Sequence, residues 1–110
     1  SSTLDQIREL ILNGSVRISE HGYDELAADG IFARQAIEGI SNADLVEDYP
    51  NYPKGVCVLV RQTVNDGRYI HVVWGIPKGK TEPAVLITAY RPDPDLWEND
   101  FLEGSDEKSD

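Results

Sequence analysis

His21 in "ISEHGYDEL", His71 in "RYIHVVWGIP" and Tyr90 in "VLITAYRP" are side chains of the types that proton transfer requires. An imidazole, with an ordinary pKa of about 6.5, takes or gives a proton near neutral pH. A phenol stacks on a base or donates a proton. Arg61, Arg68 and Arg91, with the Thr88 hydroxyl, could hold a phosphate, because a guanidinium offers a planar fork of donors. Such a set permits metal-free RNA cleavage. A base takes the 2′-OH proton, an acid protonates the leaving oxygen, and cations offset the charge of the phosphorane.

Other chemistries fit the residues less well. The two histidines lack HExxH-type spacing, so no metal site is indicated. Cys57 stands alone in an apolar run, which excludes a disulfide framework and suits an inert, packed thiol. "IPKGKTEP" contains Gly-Lys-Thr, but Trp74 occupies the place of the first glycine of a phosphate loop. No cofactor is expected. Plainer roles stay open at each position. His71 can be an ordinary strand residue, and Tyr90 can pack against the end of the chain. His21 is placed at a helix start, near the positive end of the dipole. There it serves as a base, or it bonds back to the sheet and fixes the junction.

The elements that position these residues are legible in the hydrophobic spacing. "TLDQIRELILNG" predicts an amphipathic helix, capped by Thr3 with Gln6 and stopped by Asn13-Gly14. "SVRIS" is a short strand, and Ser19 then caps a helix over about Gly22 to Asp29, ended by Gly30. "FARQAIEGI" predicts a third helix with Phe32, Ala36, Ile37 and Ile40 on one side. The period then changes to two. "DLVEDYP", "GVCVLVRQTV", "RYIHVVWGIP" and "AVLITAYRP" read as strands, with Asn65-Asp66-Gly67 a hairpin turn.

The expected fold is α+β, with N-terminal helices packed on one face of an antiparallel β-meander. "DPDLWENDFL" suggests a last helical turn pinned by Trp97 and Phe101. Residues 1–101 then form a single domain, and 102–110 a disordered acidic tail.

Alternation assigns faces. Ile70, Val72, Trp74 and Ile76 go inward with Val56, Val58 and Val60, and with Val85, Ile87 and Ala89. Leu86 is expected outward. The other face gathers Arg61, Tyr69, His71, Thr88 and Tyr90, the candidate site.

Composition bounds the partners. The 110 residues are 40% hydrophobic and 27% charged, suited to one compact domain. No apolar run approaches the roughly 20 residues of a membrane span, and no signal-peptide pattern is visible. A reduced, cytoplasmic setting is expected, and a chain beginning at Ser1 with no Met reads as trimmed or processed. The net charge of −10 argues against nonspecific nucleic-acid binding. The charge is uneven, however. Residues 55–92 carry five basic and two acidic side chains between strongly acidic flanks, so an anion could be held locally.

"ISEHGYDELAADGI", "LVEDYP", "HVVWGIP" and "VLITAYRPDPDLW" together resemble the small bacterial family catalogued as domain of unknown function 4258, across roughly residues 16–101. That family is grouped with RelE-like toxins and other compact ribonuclease-type folds. The resemblance implies a RelE-like arrangement, with His21, His71 and Tyr90 as the positions to watch.

Two functional readings follow. One is a metal-free endoribonuclease of toxin type, with His21 and His71 in proton transfer, Arg61 and Arg91 on phosphate, and a neutralising antitoxin-like protein as partner. The other is a non-catalytic module that binds a protein or small ligand on the sheet, with Tyr49, Tyr52 and Trp97 supplying an aromatic patch. An exposed edge strand would also allow pairing into a homodimer.

Overall fold

A computed structural model of the chain describes residues 1–105. Helix α1 (Ser2–Leu12) buries Leu4, Ile7 and Ile11, the face set by their spacing. Its cap is Ser1, whose hydroxyl accepts from the Leu4 amide at 3.1 Å, and not the expected Thr3, which is itself buried within the helix. Strand β1 (Val16–Ile18) leads into α2 (Glu20–Ala28), capped by Ser19 as expected. α3 (Ala33–Glu38) is short and passes into a 3-10 turn, Gly39–Asn42. Ala36 and Ile40 face the core. Phe32 does not. Its backbone is extended at the helix entrance, which lifts the ring off the apolar face and leaves it 73% exposed.

Strands β2 (Asp44–Tyr49), β3 (Cys57–Thr63), β4 (Tyr69–Gly75) and β5 (Ala84–Tyr90) form the antiparallel meander. β1 adds to it in parallel beside β5, giving a five-stranded sheet in the order β1-β5-β4-β3-β2. The architecture is α+β, with three helices and a mostly antiparallel sheet.

The register between β4 and β5 changes the expected faces. Pairing passes from Val73 opposite Thr88 to Trp74 opposite Leu86, so Ile87 is an extra residue, a β-bulge. Alternation reverses across it. Leu86 is fully buried against the helices, while Val85, paired with Gly75, lies on the other side. Ile87 joins Val85 there, since a Cβ on Gly75 would meet Ile87 Cδ1 at 2.8 Å. This corrects the expected inward Val85 and Ile87 and outward Leu86. Ala89, Thr88 and Tyr90 keep their expected sides. Ser19 ties helix α2 to the bulge: its amide donates to the Leu86 carbonyl at 3.0 Å and its hydroxyl donates to the Ile87 carbonyl at 3.0 Å.

The core contains one polar linchpin. Gln62 takes an inward position on β3 and is buried. Its amide nitrogen donates to the Ala36 carbonyl at 2.8 Å, and its oxygen accepts from Trp74 Nε1 at 2.9 Å. The side chain therefore joins α3 to the middle strand with no polar atom left over on either partner.

After β5 the chain makes a 3-10 turn, Pro94–Leu96, and a small hairpin of β6 (Trp97–Glu98) and β7 (Glu103–Gly104). The Ser105 amide closes it onto the Leu96 carbonyl at 2.9 Å. Helical geometry thus stops before Trp97, and residues 102–105, expected in a tail, belong to this hairpin. Residues 106–110 of that expected tail lie outside the described residues. Among the described residues no helix is long and apolar enough to cross a membrane.

Replacing Gln62 by Leu would strand the Trp74 indole N–H and the Ala36 carbonyl in the core. An unfolding free energy lower by about 2–3 kcal/mol is expected from urea denaturation. A loss within experimental error would show that the linkage contributes nothing.

Candidate functional site

Parity places Arg61, Tyr69, His71 and Tyr90 on the sheet face opposite the helices, and the structure brings them together. His71 pairs across the strands with Arg61 on one side and with Tyr90 on the other. Its Nδ1 lies 3.1 Å from the Tyr90 hydroxyl. Its Nε2 lies 2.8 Å from the Phe101 carbonyl oxygen. A carbonyl can only accept, so Nε2 carries the proton and donates to Phe101. Nδ1 and the Tyr90 hydroxyl share the other hydrogen bond, with Tyr90 O–H as donor when the ring is neutral.

The face is not open at this end. Trp97 and Phe101 of the C-terminal hairpin lie edge-on to the imidazole, with ring centroids 4.4 and 6.4 Å away, and His71 is 0% exposed. Phe101 also packs on Tyr69 at 6.0 Å. The turn that aims its carbonyl at His71 runs through Asn99, Asp100 and Phe101, all at positive φ, the last at 73°. Asn and Asp tolerate that region, but a bulky residue there is strained by about 1–3 kcal/mol. The ring contacts and the His71 hydrogen bond offset that strain.

The cations expected on phosphate are committed elsewhere. Arg61 pairs with the Asp44 carboxylate at 2.7 Å, donates to the Asp100 carbonyl at 2.9 Å, and stacks over Tyr69 at 4.2 Å. Arg68 pairs with Asp66 at 2.8 Å. Arg91 donates through Nε to the Asp29 carbonyl at 3.2 Å and approaches Asp66 at 3.5 Å. Hydrogen bonds from Arg68, first from its backbone and then from its side chain, hold the Asp66 carboxyl below its usual pKa. Thr88 sits half-buried opposite Val73. Arg68, Arg91 and Phe101 share a cleft of about 380 Å³ beside the hairpin.

His21 belongs to the other side of the sheet. It occupies the first turn of α2, whose Gly22 packs against the inward-facing Leu86. The side chain is 64% exposed, and its Nε2 approaches Glu25 of the same helix at 3.9 Å. Ser19, one of the residues expected to cap, makes the bond back to the sheet that was one expectation for His21. Sequence reasoning missed the carbonyl partners Asp100 and Phe101. Asn99-Asp100, flanked by Trp97-Glu98 and Leu102-Glu103, was the available turn signal. Among the described residues, no group of three His, Cys, Asp or Glu side chains comes together to ligate a metal.

Fold and site define a small α+β domain whose non-helical sheet face carries a polar and aromatic cluster under a C-terminal hairpin. The chain belongs to the family described as Domain of unknown function (DUF4258), which residues 18–91 match. That match ends at Arg91, immediately before the segment that covers His71. No curated protein and no solved structure matches the chain.

Diethyl pyrocarbonate tests the cover. Peptide mapping should show His21 acylated rapidly and His71 protected, with protection lost in Trp97→Ala. Equal reaction of both histidines in the unaltered chain would contradict a sealed ring. A second expectation concerns alkaline pH. Burial, and to a lesser degree a charged Tyr49, push the Tyr90 phenol above its ordinary pKa. The neutral phenol therefore adds stability that is complete below the unfolded value of about 10 and is lost as pH rises through the raised folded value. Urea midpoints across that range should fall less steeply for Tyr90→Phe than for the unaltered chain.

Proposed function

We propose that this protein is a non-catalytic binding module on a RelE-like fold, which takes its ligand on the part of the outer sheet face that the hairpin leaves open. The observation that carries this reading is the state of His71. A general base needs a free lone pair and an acid needs a proton it can deliver to substrate. Here the Tyr90 hydroxyl occupies Nδ1, the Phe101 carbonyl occupies Nε2, and no solvent reaches the ring. Arg61, which would neutralise a phosphorane, is balanced by Asp44. The overall charge of −10 supports the same reading, since RNA would approach against it.

One observation favours a second reading. His71, Tyr90 and Arg61 do converge on one face, and among the described residues their cover is a hairpin made of two-residue strands. Such a hairpin has little stability of its own. In this reading the protein is a latent, metal-free ribonuclease of a bacterial toxin–antitoxin type, and release of the hairpin frees Nε2 and one Arg61 nitrogen together.

A labelled RNA incubated in EDTA separates the two. Under the first reading the full chain, His71→Ala and Trp97→Ala all leave it intact. Cleavage by the full chain that His71→Ala abolishes would overturn that reading. Cleavage that appears only in Trp97→Ala would select the second.

A further inference from the structure

The outer face has another end, away from His71, where β3 begins, β4 finishes and β5 starts. A cleft of about 290 Å³ opens there, with the outward-facing Val85 and Ile87 in its lining. The bulge is what turns Ile87 outward, and Gly75, lacking a side chain, leaves the room it fills. Arg17 and Lys54 line the same cleft beside Tyr52. Arg17 reaches it because β1 pairs in parallel with β5 and sets Arg17 opposite Val85. Across Tyr52, Gly55 and Pro77 lies a second cleft, of about 500 Å³, lined in part by Lys78 and Lys80.

These cations differ from those beside His71. In a chain with twice as many acidic as basic residues, neither cleft has an Asp or Glu in its lining among the described residues. Among the described residues no ion pair uses Arg17, Lys54, Lys78 or Lys80. The lysines also stand on fixed backbone: the Lys78 amide donates to the Lys54 carbonyl at 3.0 Å, and the Gly55 amide to that of Tyr52 at 3.0 Å. Gly55 itself, at φ 127°, passes so close to the Ile76 carbonyl that no side chain fits.

We propose that this cleft binds a compact organic carboxylate, with its aliphatic or aromatic body on Val85 and Ile87 and its charge held by Arg17 and Lys54. The inference rests on the binding-module reading and names its ligand class. An apolar lining with a few polar groups is the usual makeup of a small-molecule site, and about 290 Å³ lies just below the usual range, which suits a compact ligand. A bare phosphate would leave the apolar lining unused. A long polyanion would extend beyond the local cations into the acidic remainder of the surface, whereas a small anion stays within the Debye length of about 8–10 Å.

Two-dimensional amide NMR of the full chain tests this with 4-phenylbutyrate, its neutral amide and inorganic phosphate as probes. The acid should move the amides of Tyr52, Gly75, Val85 and Ile87 in the millimolar range or below. The neutral amide should bind about tenfold more weakly, as should the acid to Arg17→Gln/Lys54→Gln, whose unfolding midpoint should be unchanged. The proposal is overturned if the neutral amide binds as well as the acid, if phosphate moves the same residues as strongly, or if no probe moves them. His71-dependent RNA cleavage would remove the broader reading without altering these shifts, so the two failures are distinguishable.

Discussion

Opposite Trp74, β5 holds one residue more than β4, and both faces of the domain depend on where that residue sits. With unbroken alternation, a strand that points Leu86 inward would point Tyr90 inward as well and Ala89 outward. Ile87 breaks the alternation once, so Leu86 fills the core while Tyr90 meets His71 on the far side. The same step turns Ile87 onto the outer face beside Gly75. A bulge of this kind costs a ladder pairing, and here Ser19 compensates. Its amide and hydroxyl take up the carbonyls of Leu86 and Ile87, while its hydroxyl also caps α2. The close approach of Gly22 to Leu86 follows from that clamp.

Burial of His71 is a second constraint, and it works in both directions. A polar ring removed from water costs free energy unless its nitrogens are satisfied, by about 1–3 kcal/mol for each group left unpaired. Tyr90 satisfies one and the strained turn at Phe101 the other. The hairpin in turn has only two paired residues on each strand, too few to persist alone. Trp97 and Phe101 anchor it on the imidazole and on Tyr69. The cluster and its cover therefore form one cooperative unit, and each accounts for the order of the other.

The sequence made much of this legible, with two physical limits. Period-two alternation placed β3 and β4 correctly, including Arg61 and His71 on one face, because both strands run without irregularity. It failed within "AVLITAY" because the bulge carries no Gly, Asn or Pro to mark it, and only the pairing partner reveals the extra residue. Alternation also assigns a side chain to a side without saying what covers that side. His71 was placed correctly and its exposure was not, since the cover comes from thirty residues further along. Gln62 occupied an inward position by the same alternation. Its role was hidden because a buried amide is acceptable only where two partners happen to converge, here Ala36 and Trp74.

Charge illustrates the gap between a sum and a field. Residues 55–92 are basic as a segment, but the fold divides their cations between the two ends of the sheet. At the His71 end, Arg61 pairs with Asp44 from the acidic amino-terminal half, and Arg68 and Arg91 share Asp66. Exposed pairs of this kind contribute at most about 1 kcal/mol each. The closure is consequently held by rings and by hydrogen bonds to carbonyls, with the ion pairs serving mainly to cancel the field. At the opposite end Lys78 and Lys80 join Lys54 and Arg17, and among the described residues no carboxylate lines the clefts they share. The acidic flanks do not oppose the basic segment uniformly. They pair with cations at the end that is closed and line neither cleft at the other, so an anion held locally is compatible with a chain of net charge −10.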